Sequence, residues 1–202
     1  MLNRRQLIQG FVVGGILGPK VGGARPLGGY KLEQETFRFK NATILDAQGR
    51  IEKDWGGEVI DGRLTLLKGS RIGVDLQQKW VVPNFVDAGC TVGLYEVGLE
   101  SGTKDVSESS NSEQLLLLAA DGYNPLSEVI PTVRANGIGT VLVHPSINRL
   151  VSGSMSALYT AGVTRSDSLC NAQVGLCIGL GGAGKGHGGP STRMGIASRV
   201  RE

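Results

Sequence analysis

Histidine is the scarcest chemical resource of this chain: its 202 residues include two, His144 and His187. A mechanism that needs three imidazole ligands is therefore excluded for this chain acting alone. Cysteine is nearly as scarce, with Cys90, Cys170 and Cys177. An odd count allows at most one internal disulfide, and the spacings match no zinc motif. Cys170 and Cys177 flank or lie in an apolar run and are expected to be small buried residues. A dominant charge is also missing, since 21 Lys and Arg stand against 18 Asp and Glu. No concentrated basic stripe appears, so a nucleic-acid partner is not expected. No apolar run approaches the roughly 20 residues of a membrane-spanning helix. Glycine, by contrast, is plentiful at 32 residues, without the period of a collagen. At 40% hydrophobic residues the chain is too apolar to stay disordered.

The first residues read as an address. Arg4 and Arg5 precede a short apolar stretch, Phe11 to Leu17, and small residues follow at Gly22, Gly23 and Ala24. A basic start, a short apolar segment and a small-residue exit describe an export signal. The paired arginines favour the twin-arginine type. Residues 1–29 are thus assigned to signal and linker, and the mature chain to the periplasm or exterior of a bacterium.

Residues 30–83 read as short strands joined by turns. Phe37, Phe39, Ala42 and Ile44 mark a strand that breaks at Asp46 to Gly49, and Asp61-Gly62 signals a hairpin before Leu64 to Leu67. After Pro83 the texture changes. Asn84 to Gly93 reads as a buried strand running into a loop, and Glu100 to Gln114 as a polar surface loop. Leu115 to Leu118 reads as a buried helix turn. A helix is expected between Asn124 and Gly137, begun by Pro125 and stopped by Asn136-Gly137. Thr140 to Val143 is then a short apolar strand ending at His144. Helix followed by buried strand is the rhythm of parallel βα architecture. Val174 to Leu180 reads as a further strand before a glycine-rich loop.

Several of these runs, in order, resemble the opening of the amidohydrolase superfamily, nearest its imidazolonepropionase-like members. They are Lys40 to Gly49, Asp61 to Leu64, Val81 to Ala88, Gly93 to Asp105, Ala120 to Pro125, Arg134 to Val141, and Pro190 to Gly195. The resemblance implies an α/β protein: a small β-sandwich segment over 30–83, then the first part of a TIM barrel over 84–202. It also implies hydrolysis of non-peptide C–N bonds, as in cyclic amides, by metal-activated water. Active members carry His-x-His at the end of barrel strand 1. Here Gly89 and Thr91 occupy those places around Cys90, which resembles an exported subgroup that also lacks the pair. Such a barrel takes about 250 residues, whereas about 120 follow Pro83.

The consequences are specific expectations. No metal or other cofactor is expected for this chain alone, and zinc only where a missing segment or partner completes the cage. The partner is a second chain or a further copy that completes the barrel, with a small-molecule substrate if the assembly is active. His144, at a strand end, is a candidate base or ligand. Asp87 is a candidate catalytic group or a loop anchor. Glu96 and Asp105 are weak carboxylate substitutes for the lost ligands. Cys90 as a nucleophile would need a base, and only His144 offers one. The alternatives are a non-catalytic remnant or subunit, and a phosphate-binding loop at Gly179 to Gly186. That loop has the spacing of a P-loop with Lys185 in place, but Gly186 stands where Ser or Thr is needed.

Overall fold

The computed structural model describes residues 36–202, apart from positions 47, 61, 62, 97 and 99. The expected export signal, and the two turn residues at 61 and 62, lie outside the described residues. The chain divides between Phe85 and Val86 into two compact units.

In the first unit, β1 (Phe37–Leu45), β2 (Ile51–Ile60), β3 (Arg63–Lys68), β4 (Val74–Asp75) and β5 (Trp80–Val81) form one five-stranded sheet. A β-sandwich segment is expected here; the described strands make a single sheet. The order is β3-β2-β1-β4, with β5 also on β1. β1 pairs antiparallel with β2, and β2 with β3 from Trp55↔Lys68 to Ile60↔Arg63. The last pair leaves a two-residue connection, as a tight hairpin demands.

β1 supplies half of the core, and β3, β5 and the segment after β4 supply the rest. Phe39, Ala42, Ile44, Leu64, Leu76 and Val81 are buried together. Asn41 takes a left-handed φ of 55°, and the β1–β2 register shifts between Phe39 and Ala42. The resulting bulge turns both Phe39 and Ala42 inward, although they stand three positions apart. Gly57 faces Phe39 across the ladder, and a Cβ there would sit 2.6 Å from the phenyl ring. The turn between β1 and β2 is held by Asp46, which accepts the Gln48 and Arg50 N–H groups at 2.9 Å each.

The second unit has a four-stranded sheet, ordered β6-β7-β8-β9. Its strands are β6 (Phe85–Cys90), β7 (Ile138–Val143), β8 (Val151–Tyr159) and β9 (Leu169–Ile178). The helices are α1 (Val129–Ala135), α2 (Arg165–Ser168) and α3 (Arg193–Arg201). β7 pairs antiparallel with β8, and β8 with β9. The parallel rhythm expected from the sequence therefore does not continue from β7 into its neighbour.

β8 escapes sequence reading because its alternate residues are serines. Ser152, Ser154 and Ser156 look like loop chemistry, yet all three are buried. Each hydroxyl has partners. Ser156 donates to the Ala172 carbonyl at 2.7 Å and accepts the Ala120 N–H at 3.0 Å. Ser154 accepts from Gln173 Nε2 at 2.8 Å, and Ser152 accepts the Asn148 and Arg149 N–H groups at 3.2 Å. Burial of a hydroxyl costs little once such bonds replace water.

The core of this unit joins Leu94, Ala119, Tyr123, Ile130, Val141, Val143 and Leu158. α1 begins later than expected because Asn124 Oδ1 accepts the Leu126 N–H, spending 124–128 on turns. Pro131 thereby falls in the first helical turn, where a missing N–H costs no intrahelical bond. Gly137 ends the helix at φ +87°, donating to the Arg134 carbonyl at 2.9 Å.

Three further expectations need correction. The 115–118 run is not a buried helix turn: Leu116 is 94% exposed. The Gln114 N–H bonds to the Val151 carbonyl and the Leu117 carbonyl accepts from Ser154, so the flanks lie extended along β8 and the intervening residues bow outward. The strand after Pro83 forms, but Phe85 and Val86 are 62% and 53% exposed. Cys170 is exposed, while Cys177 is buried as expected.

Candidate functional site

The ends of β6 and β7 meet. His144 follows the last residue of β7, and its N–H donates to the carbonyl of Cys90, the last residue of β6, at 2.9 Å. The structure thus brings together His144, Gly89, Cys90 and Asp87.

His144 is half-buried, and its Nδ1 lies 2.9 Å from the Pro145 carbonyl oxygen. A carbonyl oxygen only accepts, so this contact assigns the proton to Nδ1 and leaves Nε2 as the bare acceptor. Gly89 lies on the Nε2 side. A Cβ on Gly89 would sit 3.8 Å from His144 Cδ2 and 3.9 Å from Nε2, ordinary contact distances. Gly89, one of the two places where the sequence resemblance would put a histidine, therefore adjoins the His144 imidazole.

Asp87 Oδ1 accepts the Gly89 N–H at 3.2 Å, the loop-anchoring role expected as its alternative to catalysis. Burial pushes the Cys90 thiol up in pKa. The Val92 N–H opposes this as the next largest influence, and the Asp87 charge and a hydrogen bond to Asp87 each add a smaller upward push. At neutral pH this sulfur is a thiol, which works against its use as a nucleophile. Tyr123 packs in the same core, its phenol pushed up to about 12, chiefly by burial. Its hydroxyl is buried without a hydrogen-bond partner.

The two carboxylates proposed as substitute ligands lie apart from this cluster. Glu96 accepts from Asn124 Nδ2 at 3.2 Å and from Ser127 Oγ at 2.8 Å, which clamps the loop after β6 to the turns before α1. Asp105 is exposed, and lines a cleft of about 270 Å³ with Leu94, Asp121, Gly122 and Pro145. Among the described residues no hydrogen bond or ion pair joins either carboxylate to His144. Nor does any group of three or more His, Cys, Asp or Glu stand where it would hold a metal ion. A zinc site takes three or four protein ligands. One imidazole, a glycine and a carboxylate tied to a backbone N–H do not fit that requirement.

The glycine-rich loop closes on itself. Gly184, Lys185, Gly186 and Gly189 donate their N–H groups to the carbonyls of Gly181, Gly182, Pro190 and Gly186. Residues Gly182–Gly184 form a 3₁₀ turn, and a Cβ on Gly184 would collide with the Gly179 carbonyl oxygen. A phosphate cradle needs such amides turned toward the ligand, and here they are spent within the loop. α3 follows, capped by Thr192 Oγ1 accepting the Gly195 N–H at 3.1 Å.

Sequence reasoning passed over Asn124 and Ser127, the partners of Glu96, and the Pro145 carbonyl that sets the His144 tautomer. It also passed over Arg149, which is only 8% exposed and gives its guanidinium to the carbonyls of Asn148 and Ser109 at 2.9 and 3.4 Å. No pattern in the sequence marks these positions, because each is defined by a carbonyl or a loop remote in the chain.

No family model and no curated protein matches the chain. A solved structure described as an amidohydrolase from Thermotoga maritima MSB8 does match, at 26% identity and a TM-score of 0.68. The match covers 82% of this chain and 45% of the other, so this chain spans less than half of the neighbour's length. The protein is structurally similar to an amidohydrolase, and this likeness supports the superfamily indicated by the sequence.

Proposed function

We propose that this chain is the opening portion of an amidohydrolase-type hydrolase fold for non-peptide C–N bonds such as those of cyclic amides. In this reading the chain alone does not turn over substrate. A further segment, a second chain or another copy supplies the rest of the barrel. The observation that carries the proposal is the junction of β6 and β7, where Gly89 stands beside the Nε2 face of His144 with no second imidazole. The structural likeness to an amidohydrolase supports the same reading.

The residues at this junction have distinct tasks. His144, with its proton held on Nδ1 by the Pro145 carbonyl in the neutral ring, presents Nε2 as a base for the attacking water, and the proton it takes can pass to the leaving nitrogen as the C–N bond breaks. Asp87 fixes the backbone at the end of β6 through the Gly89 N–H. Glu96 is a scaffold group, occupied by Asn124 and Ser127. Zinc enters this reading only where ligands come from outside the described residues.

The test is hydrolysis of a panel of cyclic amides by the purified chain, with zinc added and then removed by chelator. No turnover above the uncatalysed rate is expected. Chelator-sensitive hydrolysis that His144→Ala abolishes would overturn the proposal.

A further inference from the structure

We draw no further inference here: the strongest candidate, the uncharged outer edge of β9 at the end of the four-stranded sheet, carries nothing because nothing in the structure shows what covers it.

Discussion

The two sheets of this protein solve the same problem with different chemistry. The first is built on large apolar residues, with Phe39 as its centre. The second buries a row of serines along β8 and satisfies each with hydrogen bonds from β9 and the loops beside it. An apolar core announces itself in the alternation of the sequence. A serine-lined strand does not, because its burial depends on partners that the local sequence does not name. The contrast also predicts which substitutions hurt most, and why.

The largest effect is expected at Phe39. Phe39→Ala removes the fully buried ring against which Gly57 packs, and should cost about 3–5 kcal/mol. Denaturant unfolding of the variant measures it, and a loss below about 1 kcal/mol would break the picture of the first core. Next comes Ser156→Ala, which removes only the hydroxyl and strands the Ala172 carbonyl and the Ala120 N–H. The expected cost is about 1–3 kcal/mol. A neutral or stabilising result would show that β8 is held by shape and not by its hydroxyls. At Gly137, substitution by Ala forces a side chain into φ +87° and should cost about 1 kcal/mol. Amide exchange would show whether the loss is confined to the end of α1.

Smaller effects sharpen the same comparison. Asp46 is held below the usual carboxylate range, first by the Arg50 N–H and then by the Arg50 guanidinium and the Gln48 N–H. A carboxyl with a lowered folded pKa adds stability above its unfolded value of about 3.9. That contribution is lost as pH falls through the folded value. Between pH 5 and more acid solution, wild type should therefore lose more stability than Asp46→Asn; equal losses would remove Asp46 from the account. In the second unit, alkylation at neutral pH should reach exposed Cys170 first. Cys90 and Cys177, both raised by burial, should follow slowly and speed up as pH rises. Peptide mapping over time checks the order, and early labelling of Cys90 would contradict its placement.

Legibility followed the same division. β1, β3, the break at Asp46, the C-terminal end of α1 and β7 were readable because apolar alternation, turn residues and Asn-Gly stops are local signals. β8 was not readable, and the expected parallel continuation failed with it, since a strand of buried serines looks like a loop. The leucine run at 115–118 misled for the opposite reason. Its hydrophobicity suggests burial, while backbone bonds to β8 on either side push its middle outward. At the candidate site, Gly89 and Asp87 stand out through the ordered motifs and His144 through its place at a strand end, and the structure sets the three near one another. The clamp of Asn124 and Ser127 on Glu96 was not, because it joins two loops about thirty residues apart whose pairing no spacing rule dictates.

In the proposed reading, Gly89 leaves the His144 imidazole without a second nitrogen ligand beside it. Zinc titration by calorimetry, on the wild-type chain and on Gly89→His, tests it most directly. The account predicts weak, substoichiometric binding by the wild type. It predicts measurably tighter binding by Gly89→His, abolished again by His144→Ala in the same background. Tight binding of one ion per wild-type chain, or no change in Gly89→His that folds normally by circular dichroism, would contradict it.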